Sequence, residues 1–307
     1  MKPLPRYWAL HHETATLPEG AVPLSASGSS DLSQEDAERD ARERFAALVA
    51  AGGPRKLRER GEYYPDRRRP EELLEEIFSP EGALIAAITR NRYGAAVLNT
   101  DAMLIADVDL PTEPADQSSA GSGGLLGRLF GRGRTGSVDA NEEDPDLRGE
   151  PGHGRRGEEH RQALAKIGQF CADHPDLGVR TYRTRNGFRL LVTGTGADPG
   201  SPQSQALLSD LGSDELYTLL CRVHDTYRAR LSPKPWRLGL AAPATYGQRA
   251  VGTKQWLKWV ADYDAASADV AVCRFIGSAG PAPSDVEQQV IELHDRAVRH
   301  ESGLRLA

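Results

Sequence analysis

The chain has 307 residues, with 39% hydrophobic and 27% charged residues and a formal net charge of −6. That length can bury a sizeable core, as one large domain or two modest ones, and three cysteines (Cys171, Cys221, Cys273) without CxxC or CxxH spacing argue against a disulfide scaffold. No stretch approaches the roughly 18–20 apolar residues that cross a bilayer, and the first eight residues lack the apolar core of a secretion signal, so a soluble, reduced, cytoplasmic protein is expected.

Tyr7 to Leu10 reads as a first strand. Ser33 is a natural N-cap for a first helix, with Glu35 and Asp36 in its first turn facing the positive end of the dipole. Ala37, Ala41, Phe45 and Leu48 form its apolar stripe, and Gly52-Gly53-Pro54 stops it. From Pro54 to Pro70 seven Lys/Arg oppose three Asp/Glu, so a mildly acidic chain can still present a basic face. Leu73, Leu74, Ile77 and Phe78 then stand at helical spacing and predict a second helix. Three apolar runs follow, Ala83–Thr89, Ala95–Leu98 and Met103–Asp109, and read as adjacent strands.

Residues 111–157 change character to Gly, Ser, Asp, Glu, Pro and Arg, too polar to fold alone, and read as a disordered low-complexity insertion. Within it the apolar-basic segment 124–132 is a candidate for docking on a partner or a membrane surface. Order resumes with a helix near Glu158–His174. Strands Val179–Arg183 and Phe188–Thr193 follow, joined through Asn186-Gly187, a strong hairpin signal. Helices are predicted over Ser204–Leu211, Asp214–Val223, Lys254–Tyr263 and Asp285–His300, with an extended stretch over Leu231–Ala242 and a strand over Val270–Phe275. This mixture predicts an α+β fold: an antiparallel or mixed sheet, helices mainly on one face, and one long insertion. Residues 1–110 and 158–307 would contribute to the same globular core.

The sharpest chemical signal is Met103-Leu104-Ile105-Ala106-Asp107-Val108-Asp109. Alternate residues of a strand share a face, so Asp107 and Asp109 point the same way at the end of a buried strand. Two desolvated carboxylates repel, and a divalent cation, Mg²⁺ or Mn²⁺, relieves both costs. Arg183, Arg185 and Arg189 on the following hairpin, with Arg230, Lys234 and Arg237 further on, are cations able to hold phosphate oxygens. Trp236 beside them can stack on a base or simply pack. The alternative is that the arginines line a solvated face, salt-bridged to Asp107 and Asp109 themselves. Cys221 with His224, and Trp256, Trp259 and Tyr263, stand at helical spacings that read as ordinary packing.

The hydrophobic-Asp-hydrophobic-Asp strand resembles the first catalytic motif of the archaeo-eukaryotic primase superfamily, which includes primase-polymerases. Thr184-Arg185-Asn186-Gly187-Phe188-Arg189 is similar in position to the family's second motif, with Arg189 where the family has its His. Val223-His224-Asp225, with Arg230 and Lys234 after it, is similar to the third. The resemblance spans about Met103–Arg237, interrupted by the insertion. It implies that Asp107 and Asp109 are catalytic metal ligands, with Asp225 a third, and that Arg189 and Lys234 contact phosphate. The whole chain also resembles uncharacterised bacterial proteins with the same Tyr-Arg-Thr hairpin and Pro-Lys-Pro-Trp-Arg segment. Two functions are therefore expected to compete. One is a metal-dependent, primase-like nucleotide or nucleic-acid-handling protein; the other is a non-catalytic nucleic-acid- or protein-binding module with a basic face.

Overall fold

A hairpin and one helix open the computed structural model, which describes residues 1–18, 20–53, 70–110, 155–243 and 252–307. Strand β1 (Tyr7–Leu17) pairs antiparallel with β2 (Gly20–Ser30), and α1 (Gln34–Ala50) lies across them. The Ser33 hydroxyl accepts from the Asp36 backbone N–H at 3.1 Å, the N-cap bond expected from the sequence. Helix and β2 approach so closely that a Cβ on Gly28 would lie 2.2 Å from the Ala41 nitrogen. Only glycine fits there. Ala15, Leu17, Leu24, Ala26 and Phe45 form a small core separate from the main one. Sequence reading missed β2 because its inward residues, Leu24, Ala26 and Gly28, are mostly too small to print an apolar alternation.

The main body continues with β3 (Glu72–Phe78), β4 (Leu84–Arg90), β5 (Ala96–Thr100), β6 (Leu104–Asp109), α2 (Arg155–Asp173), β7 (Gly178–Thr184) and β8 (Gly187–Thr193). After these come α3 (Pro202–Leu211), α4 (Glu215–His224), β9 (Tyr227–Arg230) and a 3₁₀ turn at Pro235–Leu238. The chain closes with α5 (Lys254–Ser267), β10 (Val270–Ala271), β11 (Cys273–Ala279), α6 (Asp285–Val298) and β12 (Arg305–Leu306). Two four-stranded antiparallel sheets result, in the orders β3-β4-β5-β9 and β11-β7-β8-β6, while the short β10 and β12 pair in parallel. The fold is α+β, and its large core draws side chains from both sides of the insertion, among them Leu98, Ile105, Leu190, Leu208 and Ile291. Segment 111–154, including 124–132, and the basic run 54–69 lie outside the described residues.

Two expectations are corrected. The predicted second helix is strand β3. Its register on β4 slips between Leu73 and Glu75 and again between Ile77 and Phe78. Bulges break the two-residue alternation, so the pairs Leu73-Leu74 and Ile77-Phe78 imitate helical spacing. The second correction concerns β6, which does not adjoin β5 in a sheet. It pairs with β8, and β9 takes the place beside β5.

The loop between β7 and β8 sits one residue earlier than its Asn-Gly signature implies. Thr184 faces Gly187, leaving Arg185 and Asn186 as the two loop residues, and neither has positive φ. Gly187 is needed for another reason: a Cβ there would sit 1.9 Å from the Val108 carbonyl oxygen on β6. Gly187→Ala is therefore expected to push β6 away and cost about 1–3 kcal/mol, as overpacking does. A urea midpoint equal to that of the wild type would contradict this close approach.

Candidate functional site

Register decides what Asp107 meets. It stands directly opposite Arg189, which in turn faces Tyr182 on β7, so the three share one face of the second sheet. Arg189 Nε donates to Asp107 Oδ1 at 2.9 Å and Nη2 to Oδ2 at 3.3 Å, a two-pronged pair. Its Nη1 donates to the Arg230 carbonyl at 2.8 Å and so ties the two sheets together. The Arg189 side chain is 1% exposed and that of Asp107 26%. Burial alone would push the Asp107 carboxyl up, but the Arg189 guanidinium outweighs it and holds the group below its ordinary value, with Arg230 and His294 helping.

The end of β6 also anchors α4. The Asp214 N–H and the Ser213 hydroxyl both donate to the Asp107 carbonyl, each at 3.1 Å, while the Asp214 carboxylate caps the helix by accepting from the Tyr217 N–H at 2.8 Å. Asp109 lies two residues beyond Asp107, exposed at the surface. Its carboxyl is nevertheless pushed up, first by the protein crowded around it, then by the Asp107 and Asp214 charges, with Lys234 and Arg230 offsetting part of the rise.

A cluster of cations acts on these acids. Lys234 is half-buried, and desolvation together with the Arg230 and Arg237 charges lowers its ammonium to about 7. Desolvation, Arg230 and then Arg185 lower Arg237 to about 9. Arg230 is lowered too, first by desolvation, with Arg189 adding repulsion. Among the described residues no carboxylate comes within ion-pair range of Arg230, Lys234 or Arg237. Asp107 and Asp109 offset part of that repulsion from beyond ion-pair distance, and a bound anion would relieve the remainder.

This segment is held rigidly. The Leu231 N–H donates to the Ala96 carbonyl, and the Ala96 N–H donates to the Ser232 hydroxyl, both at 2.8 Å. The Tyr263 hydroxyl donates to the Pro233 carbonyl at 2.5 Å and shares a 2.7 Å hydrogen bond with Ser232. Tyr263 belongs to the aromatic stripe of α5, in which Trp259 stacks on Tyr263 at 4.9 Å. Trp259 also fills the space a Cβ on Gly94 would occupy. The stripe is packing, and it buttresses the basic segment from behind.

The other sequence-predicted residues scatter. Arg183 is buried on the opposite face of the sheet from Asp107, where its Nη1 donates to the Gly187 carbonyl at 2.7 Å and its guanidinium lies over Phe188. Arg185 stays near the cluster through the hairpin loop. Asp225 ends α4 in a left-handed conformation and pairs with Lys2 at 2.7 Å. The carboxylate that acts on Asp109 beside Asp107 is Asp214. Cys221 and His224 form no dyad: burial pushes the thiol up to about 12, and His224 Nδ1 contacts Arg228 Nη1 at 2.8 Å. A cavity of about 430 Å³ lies elsewhere, at the end of α2 against α3, lined in part by His174, Asp176 and Leu177.

A divalent cation fits this arrangement poorly. Both Asp107 oxygens are engaged by Arg189, and among the described residues no group of three or more His, Cys, Asp or Glu is placed to hold a metal. Sequence reading missed two buried polar networks. Arg228 joins Asn99, His224 and Glu71, the last by a two-pronged pair at 2.7 and 2.9 Å. Asp295 on α6 gathers Tyr182 at 2.5 Å, Arg180 at 2.8 Å and His294 at 2.9 Å. Both networks join residues far apart in the chain, and no local motif marks them.

Comparison with protein-family models, curated proteins and solved structures returns no match for this chain.

Proposed function

We propose that the chain is a non-catalytic binding module whose basic face takes the phosphate groups of a nucleotide or nucleic acid. The observation that carries this reading is the convergence of Arg230, Lys234 and Arg237 without carboxylate partners among the described residues. Arginine forks beside a compact ammonium suit phosphate oxygens, and a half-buried setting strengthens each contact. Arg189, where the primase resemblance has a histidine, is spent on Asp107 and on the Arg230 backbone. That arrangement favours binding over metal-dependent nucleotidyl transfer.

The test is a titration with tripolyphosphate at pH 6, where Lys234 carries its proton. Lys234→Ala and Arg237→Ala are each expected to weaken binding about tenfold, one charge-assisted contact apiece. Affinity in the wild type should fall steeply with salt. No binding by the wild-type protein would sink the phosphate reading and turn attention to a protein partner for the same face. A parallel Mn²⁺ titration addresses the metal-dependent reading. Micromolar binding that vanishes in Asp107→Asn/Asp109→Asn would restore the enzyme hypothesis.

A further inference from the structure

Four tryptophans occur in the chain, and Trp236 is the exposed one, at 39%; Trp256 is buried and Trp8 and Trp259 are partly so. A large exposed apolar ring needs a reason, and this one stands within the basic cluster. Its neighbour in sequence is Arg237, and the Lys234 ammonium lies 5.5 Å from the ring centroid. The ring does not hang on a loose loop. Pro235 opens the 3₁₀ turn, Gly239 closes it in the left-handed conformation, and the Leu240 N–H donates to the Pro235 carbonyl at 3.0 Å. Tyr93 meets the Trp236 ring edge-to-face with centroids 5.4 Å apart. The geometry is that of an aromatic held beside the basic cluster, with a fixed rather than adaptable orientation.

Phosphate alone would require only the cations. A flat apolar ring beside them adds affinity for a ligand that carries a planar apolar group next to its phosphates, and a nucleotide is such a ligand. Paired bases in a duplex are stacked on each other and do not offer a face to a side chain. We propose that the basic cluster reads an unpaired nucleotide unit, its phosphates on Arg230, Lys234 and Arg237 and its base stacked on Trp236; this rests on the phosphate-binding reading above. A free nucleoside triphosphate and a single-stranded nucleic acid both supply that chemistry.

The experiment compares tripolyphosphate, ATP, a dT decamer and a duplex of equal length, on the full chain and on Trp236→Ala and Trp236→Phe. ATP or the decamer is expected to bind the wild type about tenfold more tightly than a base-free anion of matched charge does, the contribution of one stacked base. Trp236→Ala should remove that gain and leave tripolyphosphate affinity unchanged, and Trp236→Phe should keep most of it. A gain seen with ATP but not the decamer identifies a free nucleotide as the source; the reverse identifies a strand. Equal binding of all ligands, or a Trp236→Ala variant that weakens tripolyphosphate as much as ATP, overturns the base-stacking role while the phosphate reading stands. Absence of tripolyphosphate binding in the wild type removes the phosphate reading itself.

Discussion

Asp107→Asn is expected to lower the unfolding free energy by about 3–5 kcal/mol while leaving tripolyphosphate affinity undiminished. The cost arises at Arg189. Its guanidinium is 1% exposed, and with Asp107 neutralised it remains as a buried charge whose other hydrogen-bond partner among the described residues is a single carbonyl, that of Arg230. Removing both charges should hurt less than removing one. In Asp107→Leu/Arg189→Met two apolar chains of similar bulk replace the pair, and the double variant is expected to recover much of the loss. The Arg230 carbonyl loses a donor in that variant, which keeps the recovery incomplete. Ligand binding moves the opposite way from stability. Asp107 opposes the charges of Arg230 and Lys234, so neutralising it leaves the cluster more attractive to an anion. A site in which Asp107 held a catalytic metal would behave otherwise, losing metal and nucleotide affinity together. Urea unfolding and the tripolyphosphate titration on the same three proteins decide the matter, and a change in stability below about 1 kcal/mol would refute the buried-pair account.

Most of this site was legible one strand at a time. The alternation in Met103–Asp109 predicts that Asp107 and Asp109 share a face, and Asp107 does act on Asp109. The sequence also holds both partners of the ion pair, and the possibility that arginines of the next hairpin bind those aspartates. What it lacks is register. One residue's slip along β8 would exchange Arg189 for Phe188 opposite Asp107, and nothing in a single sequence fixes that choice. Arg183 shows the same gap: it alternates with Tyr182 and therefore faces the other side of the sheet, although its spacing from the hairpin turn made it an equal candidate.

Bulges account for the misread β3, and small inward residues for the missed β2. The deeper losses are contacts closed over long stretches of chain. Glu71 meets Arg228 across 157 residues, and Asp295 meets Tyr182 across 113. Such pairs carry no periodicity, so a polar residue on the closing helix looks like any other polar residue. His294 illustrates the point. Its neighbours in sequence, Leu293 and Asp295, give no hint that it is fully buried, with Nδ1 bound to Asp295 and Nε2 without a hydrogen-bond partner among the described residues.

That histidine gives the protein a pH dependence of known sign. Burial lowers its imidazole from the ordinary 6.5 to about 4; the nearby Arg189 charge adds to the drop, and the Asp295 hydrogen bond opposes it. Between those two values the unfolded chain binds a proton that the folded chain refuses, so stability rises with pH there and falls as acid is added. The full shift corresponds to about 3 kcal/mol, lost as pH is lowered from about 6.5 to 4. The other shifted groups near His294 act in different windows. Asp107 and Asp295 are held below 3.8 and lose their contribution only at lower pH, and Tyr182 is raised far into the alkaline range. Lys234, lowered from 10.5 to about 7, depresses stability as pH falls between those values and adds no slope below them. The acid slope between 6.5 and 4 should therefore flatten in His294→Gln, which keeps an amide able to donate to Asp295 but no titratable ring. Unfolding midpoints at half-unit intervals measure it. A slope undiminished in His294→Gln would assign the acid sensitivity to another group and remove His294 from the account.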